Sequence, residues 1–481
     1  MYINNKILIG KNNDKDIYLL PKMANRHGII SGASGSGKTT TLKVLAESFS
    51  SCGVPVLLVD VKGDLAGMCL PGTQNENIDK KIKELNIENF SFQNFPTVFW
   101  DVYEKDGHPI RTTVENIGSK LLSRMLNLSD AQEGVLTIVF KIAKEENLEL
   151  IDLKDLKALL TYVGEKRKEY TLNYGNITLQ SIGGIQRNLL SFEEEGGNYF
   201  FGKPNFDIND FIKFDTNNGY GHINILHAVT LFQKPNLYST FLLWILNNLY
   251  NTLPEVGDLD KPKMIFFIDE AHLLFSEMPN HIIKQIIQIV KLIRSKGVGL
   301  YFISQSPSDI PNEILSQLGN RIQHVLRYYT KNDENAIKVA ADSFRSNENF
   351  DTKEAIKTLK IGEALISLQD EYGQPTIVEK ASILPPQSYM GTITDIKRKE
   401  IIENSRFYNK YEIRLDEDSA YEKIDKISQQ EEVKKSSEVK QQKTKKQKPN
   451  KVEKAVTKLT NSTLNTLGRK IGNSLFKNLF K

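Results

Sequence analysis

The segment Gly32-Ala33-Ser34-Gly35-Ser36-Gly37-Lys38-Thr39 limits what this chain can fold into more than any other stretch. It matches G-x-x-x-x-G-K-[S/T] and lies between an apolar run, HGIIS at 27–31, and a helical pattern over 38–50. Glycines at that spacing let the backbone curl until successive N–H groups face phosphate oxygens, and the helix that follows adds the positive end of its dipole. Lys38 would then reach the β- and γ-phosphates, Thr39 would ligate Mg2+, and the loop residues with Thr40 would complete the cradle for ATP. The bland alternative, a Gly/Ser-rich surface turn, does not account for the strand before the loop and the helix after it.

The remaining pattern supplies the sheet such a loop needs. Apolar runs VPVLLVD (54–60), HINILHA (222–228), MIFFID (264–269), GLYFISQ (299–305) and RIQHVLR (321–327) read as strands, with helices at roughly 236–252, 281–296 and 311–319. Strands alternating with helices predict an α/β core with a mainly parallel, covered sheet. Edge strands are expected at 363–368 and 376–382, and a helix over 395–412. From 112 to 192 the period is helical, as in ENIGSKLLSRML, which predicts an all-helical insertion. The expected layout is therefore 1–98 and 217–390 as two parts of one core, 99–216 as the insertion and 391–427 as a helical extension. Beyond 428 large apolar residues nearly vanish, predicting a disordered basic linker to 454, followed by an amphipathic helix over 455–481 with Val456, Leu459, Leu467, Ile471, Leu475 and Leu479 on one face.

Of the 481 residues, 40% are hydrophobic and 25% charged, the composition of a folded soluble protein. Two cysteines, Cys52 and Cys69, allow one disulfide at most and no zinc finger, which fits a reducing cytoplasm. Runs such as 264–268 and 298–303 are too short to cross a bilayer, so a soluble chain that is not exported is expected. Residues 431–481 carry fourteen Lys and Arg against four Glu, a surplus of ten that exceeds the whole chain's +4 and leaves residues 1–430 at −6. Any phosphate-binding surface on the body must come from local placement of charge.

The run ending in Asp269 and Glu270 is the second chemical signal. Asp269 would hold the Mg2+ shell, and Glu270 is placed to polarise an attacking water. Taken alone, the pair could equally be a strand followed by an acidic helix cap. Gln305, at the end of another strand, could sense the γ-phosphate. Asp60 could touch the magnesium shell, or the Lys-Gly-Asp stretch behind it could simply form a turn. Histidines in strand-like runs, His222, His227 and His324, read as structural.

The run ANRHGIISGASGSGKTTTLKVLAESF, followed by GVPVLLVDVKGDLAG, IDEAHLLF, KLIRSKGVGLYFISQSPSDIP and LGNRIQHVLR, resembles the HerA-type NTPases of the HerA–FtsK superfamily, in particular the bacterial helicase-like branch of the YjgR type. The resemblance implies a RecA-like core, Mg2+-dependent ATP hydrolysis and a ring-shaped homo-oligomer, typically a hexamer, in a family that includes motors on double-stranded DNA. It makes Lys38 and Thr39 nucleotide and metal ligands, Asp269 and Glu270 the metal-binding and catalytic acids, and Gln305 the sensor. It also implies an arginine supplied by a neighbouring subunit, for which Arg294 is the best match, ahead of Arg321 and Arg327. About 25 residues precede the loop, fewer than the N-terminal barrel with which HerA motors dock a nuclease, so no nuclease partner is expected. Two functions follow from these features: an ATP-driven DNA translocase, or a nucleotide-gated regulatory ATPase that remodels a protein partner. The terminal helix is expected to dock on protein rather than on a membrane.

Overall fold

The computed structural model of the chain describes residues 1–12, 15–276 and 280–431. Residues 1–421 form one compact unit and the described part of the second, 422–431, is helical. Residues 428–431, expected to open the linker, are helical, and the rest of the expected linker and the 455–481 helix lie outside the described residues.

Thirteen strands form one sheet. In chain order they are β1 (Tyr2–Ile3), β2 (Lys6–Lys11), β3 (Asp16–Leu19), β4 (Gly28–Ser31), β5 (Val56–Asp60), β6 (Thr97–Asp101) and β7 (His108–Pro109). The remainder are β8 (Ile223–His227), β9 (Met264–Ile268), β10 (Val298–Ser304), β11 (Asn320–Gln323), β12 (Glu363–Ser367) and β13 (Glu379–Ile383). Their spatial order is β1-β2-β13-β12-β11-β4-β10-β9-β5-β8-β6-β7, with β3 also on β2. From β11 to β7 neighbours run parallel; β12, β13, β2, β1 and β3 pair antiparallel. Every residue of β4, β5, β9 and β10 is buried, as expected of central parallel strands covered on both faces. The expected α/β class with a mainly parallel sheet is the one the chain adopts.

Helix α1 (Lys38–Ser51) follows β4 directly and packs Leu42, Leu45 and Phe49 into the core. Six α-helices, Val114–Met125, Asp130–Glu145, Leu153–Glu165, Arg167–Tyr174, Leu179–Glu194 and Gly197–Phe200, lie in the region read as an insertion, together with the two-residue β7. They bury Leu136, Leu156, Leu160 and Leu189 among one another. Among the described residues no helix is long and apolar enough to cross a membrane.

Several elements differ from expectation. The strands β1, β2 and β3 had no reading, and β6 straddles the boundary placed at 98/99. The five-residue TVFWD run of β6 is too short for periodicity to tell a buried strand from a piece of helix. The strand expected to 327 ends at Gln323, the second edge strand begins at Glu379 rather than 376, and the helix expected over 311–319 is only Asn312–Leu315. The 395–412 helix is two pieces, Asp395–Glu403 and Tyr408–Tyr411. Helices Lys331–Asp342 and Thr352–Thr358 were not foreseen at all.

Candidate active site

Parallel register brings five strand ends to one line. Ser31 pairs with both Ser304 and Gln323, Phe302 with Ile268, and Val59 with Ile268. The segments leaving these strands, residues 32–39, Gln305, Asp269–Glu270, Lys62 and His324, therefore emerge at the carboxyl edge, where open sheets of this kind bind ligands.

The loop is tied down on three sides. Gly32 N donates to Ser304 O at 3.3 Å, Ala33 N to Val325 O at 2.8 Å, and Gly362 N to Ser36 O at 3.1 Å. Gly32 has φ +152°, and a Cβ there would stand 2.5 Å from His324 Cβ. Gly37, at φ +111°, occupies the N-cap of α1, so no side chain caps the helix and its first amides stay available to an anion. Ser34 and Gly35 are exposed, while Ala33, Thr39 and Thr40 are half-buried. The Ser36 hydroxyl is buried without a hydrogen-bond partner. Buried Lys38 donates to Gly32 O at 2.6 Å and Ala33 O at 3.1 Å. An orphaned hydroxyl, an uncapped helix end and a cation inside the same turn fit a polyphosphate.

Asp269 and Glu270 are both buried beside it. Glu270 N donates to Asp269 Oδ1 at 2.9 Å, and Glu270 sits at φ +47°, a left-handed conformation uncommon for any residue but glycine. Its Oε1 lies 2.7 Å from Lys62 Nζ and its Oε2 3.4 Å from His272 Nδ1. Burial pushes the Asp269 carboxyl up to about 6, with Lys62 opposing and Glu270 adding. Burial works the same way on Glu270, but the hydrogen bond and charge of Lys62 outweigh it and hold that carboxyl below its ordinary range. Lys38 is lowered by burial against the pull of Glu270 and Asp269. Asp309, held by Ser304 Oγ at 2.6 Å and Ser306 N at 2.9 Å, is a third acid acting on Lys38.

The oxygen donors at Thr39 and Asp269 suit a hard cation such as Mg2+, which binds through one or two protein oxygens and completes its shell with phosphate and water. Among the described residues no group of three or more His, Cys, Asp or Glu is arranged to hold a metal by itself.

Other residues singled out in the sequence fall into place differently. Both carboxylate oxygens of Asp60 are occupied by a turn, Oδ1 accepting from Lys62 N (3.3 Å) and Gly63 N (2.7 Å) and Oδ2 from Leu65 N (3.1 Å), which favours the turn reading over the magnesium one. Gln305 is exposed one residue past the end of β10. Arg294 lies just before Val298, at the amino end of β10 and so about 20 Å, one strand length, from the loop. It is paired there with Asp258 at 3.7 Å and is not part of its own chain's site. Arg321 donates to Leu318 O and Leu315 O, and Arg327 is exposed.

Three residues in or near the site carried no functional reading. Lys62 belongs to the Lys-Gly-Asp stretch whose expected role is a turn. Tyr238, whose buried hydroxyl has no partner, feels the charges of Asp269 and Glu270: burial first, and then both acids, push its ionisation far up. His324 is structural, as expected, but it braces the loop itself. Its Nδ1 meets Glu363 O at 2.9 Å and its Nε2 meets Thr41 Oγ1 at 2.8 Å.

With this geometry in hand, the chain can be set beside known proteins. The family described as Helicase HerA-like C-terminal matches residues 5–480. The DNA double-strand break repair helicase HerA of Sulfurisphaera tokodaii is 25% identical over 371 residues, covering 75% of this chain and 66% of that protein. The protein of the same name from Sulfolobus acidocaldarius is 26% identical over 384 residues, covering 77% and 68%. The chain thus spans about two thirds of the length of these relatives. Among solved structures, the plasmid coupling protein TrwB in complex with the GTP analogue GDPNP superposes with a TM-score of 0.51 at 12% identity, covering 79% of this chain and 90% of that one. That likeness identifies the fold as the RecA-like P-loop type. The match across nearly the whole length decides the rest: the chain belongs to the Helicase HerA-like C-terminal family.

Proposed function

We propose that this chain is a Mg2+-dependent ATPase motor that assembles as a ring, a hexamer, and acts on double-stranded DNA. The observation that carries the reading is the convergence of the Lys38 loop and the Asp269–Glu270 pair at one sheet edge, where both acids act on Lys38 and Lys38 acts on Glu270. Loop amides and Lys38 bind and neutralise the phosphates, and the wall behind Gly32 excludes water from that side. Thr39 and Asp269 would hold Mg2+, which supplies further neutralisation of the β- and γ-oxygens. Glu270 takes the proton from the attacking water, and Gln305 orients that water or reads the terminal phosphate. Arg294 would serve a neighbouring subunit's site rather than its own, in keeping with its place at the far end of β10.

The relatives named above are called DNA repair helicases, which supports DNA as the substrate. The charge of −6 on residues 1–430 favours the second reading, a nucleotide-gated ATPase that remodels a protein partner. Steady-state ATP hydrolysis with and without long duplex DNA at low salt decides between them, because electrostatic DNA binding weakens steeply as salt rises. Stimulation by duplex DNA is expected; DNA-independent turnover with an ATP-dependent change in oligomer size would favour the protein-remodelling ATPase. Absence of any ATP turnover would overturn both.

A further inference from the structure

The loop after β5 does more than turn the chain. With both Asp60 oxygens accepting backbone amides, the turn is fixed without any help from the Lys62 side chain. That side chain is 50% exposed, whereas its partner Glu270 is 11% exposed. One end of the ion pair is therefore free to swing while the other is walled in. The 2.7 Å contact places an ammonium on Glu270 Oε1, one of the two oxygens a general base could use. A carboxylate so engaged is a poor proton acceptor, because the lone pairs that would take the water's proton already face a cation. Lys62 also acts electrostatically on Lys38, so a phosphate chain held by Lys38 would feel both ammonium groups.

We propose that Lys62 is a positioning residue with two alternative partners: it holds Glu270 when no triphosphate is bound, and it transfers to the terminal phosphate when ATP enters, releasing Glu270 to act on water. The incoming group carries more negative charge than the single carboxylate it replaces, and the half-exposed lysine is the partner able to turn. Hydrolysis is thereby coupled to the presence of a γ-phosphate, and ADP, which lacks one, leaves the pair intact. This inference rests on the ATPase reading of the same site.

The test compares wild type with Lys62→Met and Lys62→Arg in the full-length chain, measuring affinity for ADP and for a non-hydrolysable ATP analogue together with kcat and KM. For Lys62→Met the analogue should bind about tenfold more weakly, the loss expected for one charge-assisted hydrogen bond. ADP affinity should stay within about twofold, and Lys62→Arg should recover most of the loss. A second measurement is a double-mutant cycle of Lys62→Met with Glu270→Gln, read by thermal unfolding. Coupling between the two positions should be present in the protein alone and with ADP, and should vanish with the analogue. Equal coupling under all three conditions, or equal loss of ADP and analogue binding, would show a static ion pair and overturn the inference. If wild type binds neither nucleotide, it is the ATPase reading that fails.

Discussion

Replacing His324 by phenylalanine tests whether the phosphate loop is braced from the adjoining strand. The imidazole is fully buried, and burial first, with a smaller contribution from Lys38, pushes its pKa down to about 4, so it is neutral at pH 7. Because Glu363 O can only accept, the ring proton sits on Nδ1 and Nε2 accepts from the Thr41 hydroxyl. A phenyl ring keeps the bulk and loses both bonds. An orphaned buried partner costs about 1–3 kcal/mol. The Thr41 hydroxyl can recover part of that loss by turning to Gly37 O, 3.4 Å away. A net loss of about 2 kcal/mol is therefore expected, below the simple sum of two orphaned groups. Since the root of the ring stands against Gly32, loosening it should also weaken nucleotide binding by about tenfold, or 1.4 kcal/mol. Thr41→Val removes one of the same bonds from the other side, so the two changes should not add. An interaction energy of about 1 kcal/mol is expected from urea unfolding of the two single variants and the double. Additivity within about 0.5 kcal/mol, or unaltered affinity for ATP in His324→Phe, would refute the brace.

Three further outcomes are expected. Lys38→Ala should abolish the rise in melting temperature that saturating ATP produces in wild type, an effect worth about 2.7 kcal/mol at a hundredfold excess over Kd; a retained rise would show that the loop is not the nucleotide site. Asp60→Asn, whose amide nitrogen cannot accept from Gly63 or Leu65, should cost about 1–3 kcal/mol of stability and lower turnover by displacing Lys62; unchanged stability with weakened Mg2+ dependence would instead mark Asp60 as a metal ligand. His108 is buried with neither ring nitrogen partnered, and burial pushes its pKa down to about 4. The unfolded chain therefore binds more protons between pH 6.5 and 4, and stability is full above that window and falls on acidification by up to about 1.4 kcal/mol per pH unit. His108→Phe, packed against Trp100 and Phe407, should lose that share of the acid slope, and an unchanged slope in denaturant titrations across the window would refute the assignment.

Legibility in the sequence followed the range of the interactions. The loop between β4 and α1 could be read because all its parts, the glycines, the lysine and the helix whose first amides stay uncapped, lie within one short segment. The apolar run before the acidic pair is no longer than β6, and it could be read as a strand because two adjacent acids end it and a glycine loop elsewhere in the chain gives them a partner. The short β6 and the N-terminal strands could not, since five or six residues of apolar sequence carry too little periodicity to choose a partner.

By itself, then, the order of residues determined the glycine loop with its lysine, the acidic pair and the α/β class, all set by local backbone geometry and patterning. Only the tertiary structure decided that Lys62 would meet Glu270, that Tyr238 would feel the charges of both acids, that His324 would lock onto Thr41 from 283 residues away, and that Arg294 would lie at the wrong end of its strand for its own site. Those contacts depend on strand order and register, which arise from burying the whole sheet at once, and no local stretch of sequence encodes them.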